Sequence, residues 1–368
     1  MKTLLSAFAI TALTCGAVNA QTSDTIKILP QPEIPALKFS GYAEVYYTYD
    51  FGQPESNTRP GFIYSHNRHN EVALNLGFIK AAYDNGIVRG NLALMAGSYA
   101  NANLAAEEST LKNVYEANIG VKLSKTANIW IDAGIFASHI GFESAVGKDC
   151  WTLTRSILAD NSPYYESGAK LSYTSPSGKW FISGLVLNGW QRIQKVEGNK
   201  TLSFGHQLTY KPNTKVTLNS SSFVGNDKPD ADKRMRYFHN LYGIFQLTEK
   251  FGLTAGFDIG AEQKSKGSER YSSWYSPVII ARYAFSDRFA IAARGEYYTD
   301  KEGVIIATGT ENGFQTFGYS LNFDYNIYSN VVWRVEARTF NSKDDVFLSN
   351  DDTSHNNNFI ATALAISF

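Results

Sequence analysis

From residue 37 onward the chain alternates large apolar residues with polar or small ones, the period of two that marks strands with one apolar face. The segment 37–50 is typical. Leu37, Phe39, Gly41, Ala43, Val45, Tyr47 and Tyr49 fall on one side, and Lys38, Ser40, Tyr42, Glu44, Tyr46 and Thr48 on the other. The pattern predicts about sixteen strands, over 37–50, 71–83, 87–99, 113–124, 128–139, 164–174, 179–190, 203–211, 215–224, 235–247, 251–262, 272–285, 288–299, 314–327, 331–341 and 358–368. The last of them alternates unbroken to Phe368, with Ile360, Leu364 and Ile366 on one side and Ala361, Ala363 and Ala365 on the other. An exposed edge strand is normally blunted by charge, proline or a covering element. None is present here, which is accounted for if this strand has no free edge because it closes a barrel.

The connections carry the same message. Tight turns such as Asp84-Asn85-Gly86, Ser175-Pro176-Ser177-Gly178, Pro212-Asn213-Thr214 and Tyr328-Ser329-Asn330 take turns with long polar loops such as 51–70, 140–163 and 342–357. Short turns at one rim, long loops at the other and an even number of strands describe an all-β, transmembrane, antiparallel up-and-down barrel with periplasmic turns and extracellular loops. Two aromatic belts are expected on its outer face: Tyr173, Tyr210, Phe285, Phe289, Tyr325 and Phe368 beside the turns, and Tyr47, Tyr165, Tyr237, Tyr275, Tyr297 and Tyr319 toward the loops. The alternatives are a soluble β-sandwich or a repeat protein, but apolar outward faces in nearly every strand would leave these no polar exterior.

Composition sharpens this picture. Charged residues make up 18% and aromatics 14% of the chain, poorer in charge than a soluble domain. Net formal charge is zero, so no nucleic-acid partner is implied. Residues 1–20 have the form of a signal peptide, with Lys2, an apolar run Leu4 to Leu13 and a small-residue cleavage site at Val18-Asn19-Ala20. Cys15 fits a lipoprotein signal poorly. Cleavage after Ala20 leaves Cys150 alone and excludes a disulfide. Residues 21–36, with Pro30, Pro32 and Pro35, form an extended leader too short to plug a barrel.

The most specific words lie in and around the longest loop: Gly141-Phe142-Glu143-Ser144, Asp149-Cys150-Trp151, Thr154-Arg155-Ser156, Asn161-Ser162-Pro163-Tyr164-Tyr165, Gly168 and Leu187-Asn188-Gly189-Trp190-Gln191-Arg192. In these the chain resembles the OmpL-like putative β-barrel porin family, from about Leu37 to the end. Cys150 stands where that pattern would place an Asn. The resemblance implies an outer-membrane barrel that passes small solutes. Barrels of this kind use a terminal aromatic as a signal to the barrel-assembly machinery, the role expected of Phe368.

Candidate chemistry is sparse. A barrel hydrolase would need a nucleophile, base and orienting group together. Strand parity places His139, His206 and His239 on outward faces instead. His66-Asn67-Arg68-His69 offers two ligands on a loop expected to be solvated, and the acidic stretch 342–352 lacks the spacing of a calcium loop. No catalytic residue, metal or cofactor is expected. The inward faces are expected to form a basic wall of Arg236, Arg282, Arg294, Arg334 and Arg338 opposite an acidic one of Glu44, Glu71, Glu116, Asp132 and Glu166. The competing reading is that these charges pair locally, with Glu296 and Glu336 neutralising much of the basic side. Loop 140–163 is too long to lack a role. Trp151, Leu153, Ile157 and Leu158 have helical spacing, and an apolar stripe at a barrel mouth needs a surface to bury against. The loop is therefore expected to fold inward as a constriction, with Glu143, Asp149, Trp151, Arg155 and Asp160 available to face the basic wall. The function expected is a porin for small hydrophilic solutes, in contact with outer-membrane lipid. A substrate-specific transporter, a closed structural or adhesion barrel, and a homo-oligomer are left open.

Overall fold

The computed structural model describes residues 37–350 and 352–368; the expected signal peptide and leader lie outside them. Fifteen strands follow in order: β1 (Leu37–Asp50), β2 (Val72–Asp84), β3 (Val88–Ala96), β4 (Val114–Lys122), β5 (Asn128–Ala137), β6 (Tyr165–Thr174), β7 (Trp180–Leu187), β8 (Ser203–Asn213), β9 (Val216–Gly225), β10 (Arg236–Gln246), β11 (Phe251–Gln263), β12 (Tyr271–Ala284), β13 (Phe289–Asp300), β14 (Phe314–Tyr328) and β15 (Val331–Ser342). A separate small hairpin, β16 (Phe347–Ser349) with β17 (Asp352–Ser354), precedes β18 (Asn356–Ser367). Each barrel strand pairs antiparallel with the next, and β18 pairs with both β15 and β1. The result is a closed barrel of sixteen strands without an edge. Closure is what lets the last strand carry a large apolar outer row without becoming a template for aggregation.

The register assigns the faces. On β18, Ile360, Leu364 and Ile366 are exposed on the outside while Ala361, Ala363 and Ala365 are buried inside. The same apolar outer belt continues through Ile79, Leu92, Ile119, Ile131, Leu171, Ile259 and Leu321. Phe368 exchanges backbone hydrogen bonds with Gly41 (2.7 and 3.0 Å), so the aromatic residue after β18 is tied to β1. Tyr237, Tyr275, Tyr319, Phe285 and Phe289 project as expected. Tyr165 does not: its hydroxyl donates to Glu107 (3.1 Å) and it is covered.

Several strands stop short of the expected ends, and in two of them this redirects the chain. The segment 87–99 ends at Ala96, and the chain enters the short helix α1 (Ser98–Asn103). The segment 128–139 ends at Ala137, so strand parity no longer governs His139. That side chain turns inward instead of out. Its Nδ1 lies 2.8 Å from Glu166 Oε2 and its Nε2 is 2.8 Å from the Ser222 carbonyl. The two histidines of the loop after β1 are likewise not solvated: His66 is fully buried against Glu44 (2.8 Å), and His69 Nδ1 accepts the Asp50 N–H (2.9 Å). The hairpin region holds Asp344, whose carboxylate accepts two hydrogen bonds from Asn312 (2.7 and 2.8 Å). Among the described residues no cluster of three or more metal-ligating side chains forms.

The face assignment makes a quantitative prediction. Leu92→Arg or Ile259→Arg would aim a cation outward from the apolar belt, at a cost of about 2–4 kcal/mol at the midplane. Asn91, which points inward and donates to Asn118 (3.0 Å), should accept arginine with far less loss. Urea titration of the refolded barrel in lipid checks this; equal losses at both positions would contradict the assignment.

Candidate functional site

The connection from β5 to β6 fills much of the barrel interior. Its residues Thr152 to Ser162 are buried without interruption. The segment descends far into the lumen: Lys148 Nζ donates to Ser367 Oγ (2.8 Å) at the end of β18, and the Trp151 ring lies against the backbone of Gly252 at the start of β11. It then returns through Leu153 and a single helical turn, α2 (Ile157–Asp160). Ser156 caps that turn by accepting the Ala159 N–H (3.2 Å). The spacing of Trp151, Leu153, Ile157 and Leu158 predicts more helix than this. Only the last two are helical, because the backbone around Leu153 and Thr154 is drawn straight onto the wall.

The wall receives it in two ways. Apolar side chains of the loop meet inward-facing small or apolar positions: Leu153 and Ile157 cluster with Ala361 and Ala363, while Phe142, Val146 and Trp151 pack on a cluster that includes Val278, Ile280, Ala292 and Val332. Gly147 approaches the Glu44 carboxylate so closely that a Cβ would collide with it at 2.0 Å. Backbone groups find polar partners. The N–H groups of Leu153, Thr154 and Ile157 donate to Asn322 (2.9 Å), Glu336 (2.6 Å) and Glu296 (2.7 Å). Carbonyls are gripped by arginines: Gly147 (2.7 Å) and Cys150 (2.9 Å) by Arg334, Thr154 (2.7 Å) by Arg294, and Arg155 (2.7 Å) by Arg338.

These arginines are not a free basic surface, which corrects the expected wall. Arg294 pairs with Glu336 (2.8 Å), Arg338 with Glu296, and Arg334 with Asp324 (2.7 Å). The first two pairs reach from β13 to β15 across β14, where Gly318 and Ser320 stand opposite Glu296 and Arg294 and leave room. Arg236 is likewise held by Glu262 (2.6 Å) and Asp227 (3.5 Å), beside the Trp190 and Trp274 rings. Arg282 alone of the five has no salt-bridge partner among the described residues. The expected acidic wall is also spent on local pairs. Glu44 takes His66, Tyr42 (2.7 Å) and Asn75 (2.8 Å); Glu116 takes Lys80 (2.6 Å); Asp132 takes Arg89 (2.6 Å); Glu166 takes His139. Glu71 precedes β2 and pairs with Arg68 (2.6 Å) outside the barrel wall. In a confined, poorly hydrated lumen an unpaired charge is costly, so each finds its nearest opposite.

The loop's own candidates divide in the same way. Arg155 is fully buried and clamps the loop to itself, donating to the carbonyls of Ser144 (2.7 Å), Leu153 (2.6 Å) and Ala145 (3.1 Å). Glu143 accepts from Ser156 N (3.1 Å) and Oγ and lies 3.7 Å from Arg294; burial raises its pKa against those partners. Asp160 is buried, Trp151 is half-buried, and Asp149 alone of the five is exposed. Sequence reasoning missed Asn322 and Asp324 as wall anchors, whose signal was an inward parity on β14 between the arginine strands, and Tyr42 of β1, whose hydroxyl accepts the Lys148 N–H (3.3 Å); within the loop it missed Thr152, which accepts from Arg294 (2.9 Å).

With the loop against β13–β15 and β18, cavities are left beside it among the described residues. One of about 260 Å³ near the long-loop rim is lined by Tyr64, Asp160, Asn161, Trp190, Arg192 and Arg236, among others. A second of about 250 Å³ includes Tyr115, Phe142, Glu143, Pro163, Tyr164 and Tyr242. A third of about 450 Å³ toward the short turns includes Lys179, Lys211, Thr209, Thr217 and Tyr242. Asn161 and Ser162 line the first, Pro163 and Tyr164 the second, and the last two share Tyr242.

The model of the family described as "Putative beta-barrel porin-2, OmpL-like" matches residues 36–368. No curated protein matches the chain in sequence. Among solved structures, the outer-membrane OmpT of Vibrio cholerae superposes with a TM-score of 0.58 at 8% identity, covering 90% of this chain and 97% of its own. An anion-selective porin from Comamonas acidovorans gives 0.59 at 7% identity, with 90% and 99% covered. The outer-membrane channel DcaP of Acinetobacter baumannii gives 0.56 at 9% identity, with 90% and 97% covered. At such identities these likenesses carry the fold alone.

Loop docking should depend on pH through Asp160. Burial pushes its pKa up to about 7, against the pull of Arg338 and Arg155. A free loop would carry an aspartate near its usual value of about 3.9. Between those values the docked loop keeps a proton that the free loop has lost, so docking weakens as pH rises through that window. Open-channel current fluctuations should grow from about pH 4 to about pH 7 in the wild type and stay level in Asp160→Asn. Identical profiles for the two proteins would contradict this.

Proposed function

Because the chain belongs to the OmpL-like β-barrel porin family, we propose that it works as a passive diffusion channel of the bacterial outer membrane for small hydrophilic solutes, narrowed by loop 140–163. The observation that carries the reading is the loop's placement: it occupies one side of the lumen and leaves a file of cavities along the other. Solutes pass from the Trp190–Arg192 vestibule, past the 161–164 segment and the Phe142–Tyr242 pair (ring centroids 5.6 Å apart), to the mouth at Lys179 and Lys211. The long loops face the exterior and the short turns the periplasm, reached after export by the signal peptide 1–20.

Charge along this file is what would set ion preference. Arg192, Lys179 and Lys211 line it without a salt-bridge partner among the described residues, whereas its carboxylates Glu143 and Asp160 are buried. We expect a weak preference for anions. No histidine lines any of the three cavities, and no catalytic step is assigned to them. A closed barrel is the second reading, favoured by the split of segment 161–164 between the first two cavities.

Planar-bilayer recording separates the two. Replacing Ala145 to Ala159 with a short Gly-Ser linker should raise single-channel conductance, and Lys179→Glu with Lys211→Glu should move the reversal potential in a salt gradient toward cations. No current from the wild type would favour the closed barrel; conductance and selectivity both unchanged in the variants would defeat the proposed path.

The end of the chain has a proposed role in assembly. Phe368 presents an exposed ring beside the β1–β18 seam, which supports a role in recognition by the barrel-assembly machinery. Phe368→Asp should sharply reduce the heat-modifiable barrel recovered from membranes, and normal recovery would sink the assignment.

A further inference from the structure

The vestibule at the long-loop rim carries polar groups that the barrel itself does not use. Asp160 and Asn103 both line it and both are buried, yet neither Asp160 Oδ1 nor Asn103 Oδ1 has a hydrogen-bond partner among the described residues. Two buried acceptors therefore lack a donor. The cations that act on Asp160 spend their hydrogen bonds elsewhere, Arg155 on carbonyls of its own loop and Arg338 on Glu296, Thr154 and the Arg155 carbonyl. An unmet carboxylate in such a setting is costly, and a donor brought in by a solute would relieve it.

Arg192, on the same cavity, lacks the opposite partner. It is half-buried and makes neither a salt bridge nor a hydrogen bond to any described residue. Its backbone is nevertheless fixed. The Trp190 N–H donates to Asp227 (2.9 Å) and the Ile193 N–H to Glu107 (2.8 Å), while the Gln191 side chain spans from the Tyr164 N–H (2.7 Å) to the Asn103 carbonyl (3.2 Å). Arg236 also borders the cavity, but Glu262 and Asp227 already hold it. The lining is completed in part by an apolar set, Ala102, Ala105, Ala106, Val304 and Ile305.

We propose that this vestibule, on the channel reading above, is a binding subsite for small zwitterions with an apolar body, the chemistry of an apolar α-amino acid. The ammonium is taken by Asp160 and Asn103 and the carboxylate by Arg192. Charge selects that class. A simple anion brings no donor to Asp160 and is repelled by it, a simple cation leaves Arg192 unmet, and a neutral polyol supplies charge to neither and gains nothing from the apolar lining. An ammonium has three N–H donors to divide between the two acceptors, and a guanidinium can take a carboxylate on two parallel hydrogen bonds. Release onward into the lumen requires weak binding, so an affinity of about millimolar order is expected.

The test uses the protein purified from outer membranes in dodecyl maltoside, with saturation-transfer NMR against empty micelles, a readout that needs no current. L-leucine is the probe. Leucinamide keeps only the ammonium, N-acetyl-leucine only the carboxylate, and glucose is the neutral polyol. Leucine should bind saturably, and the other three at least about tenfold more weakly. Arg192→Gln should bring leucine down to the level of leucinamide, and Asp160→Asn should bring it down to that of N-acetyl-leucine. No saturable leucine signal, equal binding of all four probes, or an unchanged leucine affinity in a heat-modifiable Arg192→Gln barrel would each overturn the proposal. If Asp160→Asn does not fold, the four probes and Arg192→Gln decide. A wild type that conducts in a bilayer but does not bind leucine defeats the subsite alone, whereas one that binds leucine and carries no current defeats the channel reading and leaves the zwitterion site standing.

Discussion

Three guanidinium groups on two strands hold a whole loop inside this barrel, and the interior is arranged around that fact. A chain segment placed in a lumen must satisfy its backbone, since it can neither form a ladder with the wall nor rely on bulk water. Arg294, Arg334 and Arg338 solve this with the donors left over after each has met its carboxylate. Glu296 and Glu336 do the converse, accepting loop N–H groups with oxygens left over from their arginines. Removing one member of such a buried pair strands the other, which typically costs about 3–5 kcal/mol. The loop and the charge network therefore stabilise each other, and neither would be stable in this form alone.

The geometry of the rest follows. Alanines on the inner row of β18 and Gly147 in the loop leave the space that the inserted segment needs. Gly318 and Ser320 on β14 let ion pairs cross above it. With one side of the lumen filled, open volume gathers along β6 to β10, whose inward residues Ser172, Ser183, Thr209, Asn219 and Asn240 are mostly neutral. Solutes would meet hydroxyls and amides there more than charges, which suits passage without tight binding.

Alternation along the chain was enough to establish the strand count, the barrel, the outward belt and the position of nearly every turn, because a side chain's face in a strand depends only on parity. It also singled out loop 140–163, whose apolar residues had to be buried somewhere. Parity failed where a strand ended sooner than its pattern: His139 lies two residues beyond β5 and turned in to Glu166. It also could not assign Tyr165, which has the outward parity but is covered by Glu107 from another loop. Which charge meets which was decided only by the tertiary structure. Arg294 and Glu336 are brought to 2.8 Å by a register across an intervening strand, and Arg155 turns back on its own loop. One-dimensional spacing counts charges on a face, but partners are chosen by distance in the folded barrel, and in a low-dielectric interior that choice separates a charged pore wall from a neutral scaffold.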